Sequence, residues 1–174
     1  MWERMERFLQ AVVPAAEQAG VVMALHPDDP PIPEPLAGVA QICSTLEQFR
    51  KTFFELAPSD NNRMLFCQGC VTEMGVDVYE AIRRIGSQDR IVYVHFRNVQ
   101  GTIPAQKGYA EVIPDDGDLD MYQVARALHQ VGYEGAIDYD HIMGISTATP
   151  VGREYIAFCV GHARGMLQGL ANSR

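Results

Sequence analysis

The sequence predicts an α/β fold in which helices cross over between the strands of a four-stranded parallel sheet. Two observations carry that reading. Short apolar runs at Val21–Leu25, Arg63–Phe66, Ile91–Val94 and Gly135–Tyr139 have the length and composition of buried parallel strands. Between them lie stretches whose apolar residues recur at helical spacing, punctuated by glycine and proline. A closed barrel of this kind needs eight such units in about 250 residues. The sheet is therefore either open or the second half of a barrel.

Each element has its own signal. Met5, Phe8, Leu9, Val12, Val13 and Ala16 repeat with helical period, and Gly20 supplies a stop. After Val21–Leu25 the chain breaks at His26-Pro27-Asp28-Asp29-Pro30-Pro31, where proline forbids both helix and ladder pairing. Ser44-Thr45-Leu46-Glu47 reads as a capping box opening a second helix, with Leu46, Phe49, Phe53 and Leu56 inward and a stop at Pro58. Arg63–Phe66 runs into Cys67-Gln68-Gly69-Cys70, and a third helix starts near Val76 with Tyr79, Ile82 and Ile85 on one face. Ile91–Val94 leads into His95-Phe96-Arg97-Asn98.

Residues 100–118 read as a long loop, of a length that is usually functional or disordered, ending at an N-cap at Asp118. A helix carrying Val124, Leu128 and Val131 then stops at Gly132. The last strand ends at Asp140-His141, and a final helix carries Ile156, Cys159, Val160, Ala163, Leu167 and Leu170 inward. No linker or low-complexity segment divides the chain, so a single domain over 1–174 is expected.

The net charge of −8 is spread along the chain with no basic stripe, which argues against a nucleic-acid partner. No apolar run reaches the roughly 18 residues of a membrane span. The charged N-terminal stretch Met1–Arg7 lacks the apolar region of a secretory signal, so the expected compartment is the cytoplasm. Cys43, Cys67, Cys70 and Cys159 are accordingly read as thiols. The Cys67-x-x-Cys70 pair has no second close pair to complete a structural zinc site.

Every strand is followed by a metal-ligand type: His26, Cys67, His95 and Asp140. In parallel α/β folds the carboxyl ends of the strands converge on one face, so four residues placed there reach a common point. Two imidazoles, a thiolate and a carboxylate suit a divalent metal without choosing among Zn, Fe, Co and Mn. Polar groups surround them: Asp28, Asp29, Arg97, Asn98, Glu111 and His141. Among these Arg97 has the bidentate fork that clamps a substrate carboxylate, and Asn98 and Asp28 are further substrate-binding candidates. His129 and His162 lie within helices and are read as uninvolved.

The segments His26–Pro31, Phe66–Gly69, His95–Asn98, Asp116–Met121 and Asp140-His141 resemble successive motifs of the mannonate dehydratases, in the order of that family's second half. The resemblance covers nearly the whole chain. It implies the C-terminal half of a (β/α)8 barrel of the xylose isomerase-like type. It also implies metal-dependent dehydration of D-mannonate to 2-dehydro-3-deoxy-D-gluconate, with Mn2+ as cofactor and Fe2+, Co2+ or Zn2+ as substitutes. By the same resemblance His26, Cys67, His95 and Asp140 are the metal ligands, His141 is catalytic, and Tyr155 lies in the region of a later catalytic tyrosine, though Gly152-Arg153 around it match the family only loosely. Where the family usually has proline before the Asp-His pair, this chain has Tyr139.

Two other readings stand beside it. One is a sugar isomerase or epimerase of the xylose isomerase-like barrels, against which the thiolate Cys67 speaks. The other is an inactive truncated fragment. Because an open parallel sheet leaves edges uncovered, a homo-oligomer is expected.

Overall fold

A computed structural model of the chain describes residues 1–143 and 152–172. Helix α1 (Trp2–Ala19) buries Leu9, Val13 and Ala16 and ends at Gly20, whose left-handed φ of 66° lets the Val21 N–H reach back to the Ala16 carbonyl at 2.9 Å. Phe8, expected inward, is 53% exposed. Strand β1 is shorter than the apolar run, Met23–Leu25.

Helix α2 (Leu46–Lys51) does open on a capping box, but one residue later than the sequence pattern suggests: Thr45 caps and Gln48 reciprocates. The Gln48 Oε1 atom also takes up the Ser44 N–H at 2.7 Å, so the longer amide serves both residues. The helix widens into a π-turn over Thr52–Leu56, where the Thr52 hydroxyl donates to the Gln48 carbonyl at 2.9 Å and competes with the helical ladder. Phe49 and Phe53 are buried as expected.

Strands β2 (Asn62–Cys67) and β3 (Ile91–His95) occupy the centre of the sheet. A short helix α3 (Gln68–Glu73), absent from the sequence reading, starts directly at Cys67. It is followed by α4 (Val78–Gly86), capped by Asp77 and burying Val78, Ala81, Ile82 and Ile85.

The supposed loop after β3 is structured. It contains β4 (Asn98–Gln100), a helical turn α5 (Ile103–Gln106) and β5 (Ala110–Val112), with β4 and β5 paired antiparallel. Its three-residue strands are too short for a periodicity signal to accumulate. Helix α6 (Met121–Gln130) is capped by Asp120, which accepts from the Tyr122 and Gln123 N–H groups. Asp118, the expected cap, instead accepts from the Gly101 N–H at 2.7 Å and ties the hairpin down. Strand β6 (Ala136–Asp138) and the long helix α7 (Arg153–Asn172) complete the description.

The sheet has the order β1-β2-β3-β6, with every pair parallel. Register places Cys67 beside His95 and His95 beside Asp138, so three neighbouring strands end at one level. Met64, Phe66 and Val94 are sealed completely beneath Phe49, Phe53, Ile82, Val124 and Leu128. That packing fixes the height of the strand ends. Helix α7 buries Tyr155, Cys159 and Leu170. Ile156, Val160 and Leu167, expected inward, are 43%, 45% and 50% exposed along a groove of about 770 Å³ beside β6, an outer strand of the sheet. Among the described residues no helix is long and apolar enough to cross a membrane.

Candidate metal centre and its surroundings

His26 follows β1, Cys67 and His95 end β2 and β3, and Asp140 lies two residues past β6. Each offers one ligand atom, and the four atoms lie within 4.8 Å of one another. Their chemistry fits a single divalent cation. His26 Nδ1 is 2.6 Å from the Pro27 carbonyl, which can only accept. The proton therefore sits on Nδ1 and leaves the Nε2 lone pair free, the arrangement typical of a metal-bound imidazole. His95 Nδ1 is buried without a hydrogen-bond partner among the described residues. It stands 3.2 Å from Asp140 Oδ2.

Cys67 is fully buried, yet its thiol is held well below the usual range, first by the Cys70 thiol and then by the His26 and His95 rings and the Arg97 charge, all against the opposing effect of burial. Its contact with Cys67 in turn raises His26 above the ordinary imidazole value. Cys43 shows what burial does alone: its thiol is pushed up to about 12 by desolvation, with the Asp28 charge adding to it.

Beside this group lies a second one. Cys70 and Glu73 follow Cys67 at helical i+3 spacing, so all three share a face of α3. Asp29, Cys70 and Glu73 also bring ligand atoms within 4.8 Å of one another. Their cation is already present. Arg97 Nη1 donates to Glu73 Oε1 at 2.9 Å and Glu111 Oε1 at 2.7 Å, while Nη2 donates to Asp29 Oδ2 at 3.0 Å and Cys70 Sγ at 3.2 Å. Its Nε stands 3.6 Å from Asp140 Oδ2. A β-carbon at Gly69 would collide with the guanidinium, so only glycine lets the side chain lie against that backbone. Glu73 has no exposed surface, and burial pushes it up to about 7 despite Arg97.

These contacts revise the substrate-binding expectations. Arg97 is 2% exposed and its terminal N–H groups face protein acceptors, so its fork clamps the protein's own carboxylates rather than a ligand's. Asn98 is fully buried: its amide donates to the Pro114 and Leu119 carbonyls and its oxygen accepts from Val99 and Leu119 N–H. It staples the segment before α6. Asp28 accepts from the Cys43 N–H at 2.7 Å and closes its own loop.

His141 reaches the centre's rim. Its Nε2 is 3.1 Å from Asp140 Oδ2, and its Nδ1 is 3.0 Å from Glu111 Oε1. Tyr155, on the first turns of α7, is 3% exposed; burial first, and Cys159 next, raise its phenol. It shares the groove lining with Asp140, Ile142 and Cys159. His162 receives more than the sequence suggested, since its Nδ1 lies 3.1 Å from the Tyr139 hydroxyl.

Sequence reading missed the roles of Glu73 and Cys70. The i, i+3, i+6 spacing from Cys67 was the available signal, but it has meaning only once α3 is known to start there. Glu111 stood out only as one polar group among several.

Comparison with known proteins places these features in a context. The D-mannonate dehydratase (UxuA) family model matches residues 1–173. A mannonate dehydratase of Streptococcus agalactiae serotype V is 37% identical over 144 residues, which is 81% of this chain and 40% of that protein. The crystal structure of mannonate dehydratase from Streptococcus suis serotype 2 superposes with a TM-score of 0.80 at 31% identity, over 95% of this chain and 48% of that one. A xylose isomerase domain protein from Planctomyces limnophilus shares the fold, with a TM-score of 0.72 at 15% identity over 98% of this chain and 55% of that one. The chain thus spans less than half the length of these mannonate dehydratases.

Proposed function

Because the chain belongs to the D-mannonate dehydratase (UxuA) family, we propose that it carries the metal-binding half of a hydro-lyase site that dehydrates D-mannonate to 2-dehydro-3-deoxy-D-gluconate. The observation that carries this reading is the convergence of His26, Cys67, His95 and Asp140 on one point. Mn2+ is the proposed ion, with Fe2+, Co2+ and Zn2+ as substitutes compatible with the same donors. When bound there, a divalent ion supplies Lewis acidity to a sugar acid's carboxylate and adjacent hydroxyl.

The chain's own groups do the rest. The reaction takes a proton from the carbon beside the carboxylate and expels the neighbouring hydroxyl, so it needs one group to accept a proton and one to give it. His141, 40% exposed and within reach of Asp140, is the proposed residue for one of these transfers. Tyr155 is the weaker candidate for the other, because its phenol is nearly closed off from solvent. Substrate-carboxylate binding by Arg97 is not part of this proposal, since its partners are internal.

A sugar isomerase or epimerase is the runner-up, supported by fold alone, and a buried thiolate among the donors disfavours it. The proposed setting is the cytoplasm. The free edges of β1 and β6 extend the proposal to self-association, which light scattering after gel filtration tests: a monomer at micromolar concentration contradicts it. The direct test of function is incubation with D-mannonate and Mn2+, reading the 2-keto product. Turnover supports the proposal. A chain that binds Mn2+ but forms no product would leave the inactive-fragment reading in its place.

A further inference from the structure

We infer that Glu111 is the positioning residue that sets the ring of His141. The inference rests on the dehydratase reading for what that ring then does, and on geometry for the positioning itself.

His141 follows the last strand on a half-buried segment outside any regular element. Two contacts hold its ring. Nδ1 lies 3.0 Å from Glu111 Oε1, and Nε2 lies 3.1 Å from Asp140 Oδ2. The Glu111 carboxylate accepts from Nδ1–H, and that contact turns Nε2 toward Asp140 in the four-ligand centre.

Glu111 is itself held from the other side. Arg97 Nη1 donates to the same Oε1 atom at 2.7 Å. The backbone sets the span between the two: β4 begins one residue after Arg97, and the antiparallel register pairs Asn98 with Val112 and Val99 with Glu111. Arg97 in turn is anchored by Glu73 and Asp29. The short hairpin therefore has a purpose. It brings a carboxylate from 14 residues downstream back onto Arg97 and presents it to His141. Glu111 lies outside the four-ligand group, so its effect is on orientation rather than on metal retention.

The test compares Glu111→Gln and Glu111→Ala in the full chain, with Mn2+ affinity, kinetics on D-mannonate and the imidazole N–H resonances as readouts. The His141 Nδ1–H signal is assigned by its loss in His141→Gln. Glutamine keeps an oxygen that accepts from Nδ1–H, so Glu111→Gln retains the resonance and stays closer to the parent rate. Alanine loses the resonance and lowers kcat about 10- to 100-fold with KM nearly unchanged. Both variants keep Mn2+ affinity within about threefold, well inside the 10- to 100-fold losses of residues that tune a bound metal. A resonance that survives in Glu111→Ala overturns the inference, as does a Glu111→Gln variant no better than alanine. If the parent shows no turnover, the dehydratase reading fails by itself and the resonance comparison still decides whether Glu111 sets the ring.

Discussion

Two clusters of acids and thiols sit side by side at the strand ends, and they differ in where their cation comes from. Around Arg97, the groups Asp29, Cys70, Glu73 and Glu111 surround a guanidinium supplied by the chain. Around Cys67, the groups His26, His95 and Asp140 converge on one point, with Arg97 reaching only its edge, Nε 3.6 Å from Asp140 Oδ2. The first arrangement pairs each terminal guanidinium nitrogen with protein acceptors on folding. The second gathers a depressed thiol, two imidazoles and a carboxylate, the donor set of a divalent-metal site, with His95 Nδ1 3.2 Å from Asp140 Oδ2. Proximity of ligand-type residues is therefore no evidence of a metal site until the space between them has been checked for an arginine.

The contrast can be broken from the arginine side first. Arg97→Met should cost about 3–5 kcal/mol in urea unfolding above about pH 7, because it leaves Asp29, Glu73 and Glu111 without their shared counter-charge. A loss under about 1 kcal/mol would mean that the cluster is not held by Arg97.

Glu73 gives the next largest effect. Its folded-state value of about 7 lies above the ordinary 4.5, so the fold holds the proton more tightly than the unfolded chain does. Its contribution to stability is thus fully present below about pH 4.5 and lost as pH rises through about 7. Glu73→Gln should flatten the stability profile across that window; an unchanged slope would contradict the burial argument.

Gly69→Ala is smaller again, about 1–3 kcal/mol, since the new methyl group has to displace the guanidinium. Its metal affinity should fall less than its stability, because the pressure falls on the arginine cluster. The opposite order would show that the two clusters are one unit.

Much of this was legible in the sequence, for reasons that particular residues make plain. The apolar runs of β2 and β3 and the periodic faces of α4 and α6 betray themselves because each is packed on a shared core. The convergence of the four candidate ligands was legible because a parallel sheet forces its strand ends to one side, and one ligand type followed each strand. The β4–β5 hairpin was not, since its strands are three residues long and paired only with each other. The internal partners of Arg97 were hidden for a related reason. Its chemistry suits a substrate carboxylate equally well, and only the folded positions of Asp29, Glu73 and Glu111, from three separate segments, show that its terminal nitrogens have protein partners. Asn98 likewise reads as a polar site residue until its partners at Pro114 and Leu119 come into view.

The central claim is that the Cys67 cluster holds the ion and the Arg97 cluster does not. Mn2+ titration of the metal-free protein, followed by electron paramagnetic resonance, tests it most directly when the parent is compared with Cys67→Ser and Cys70→Ser. The account predicts one Mn2+ per chain, affinity lowered by about 100-fold or more in Cys67→Ser, and a loss of no more than about tenfold in Cys70→Ser. Equal affinity in the parent and Cys67→Ser would contradict it.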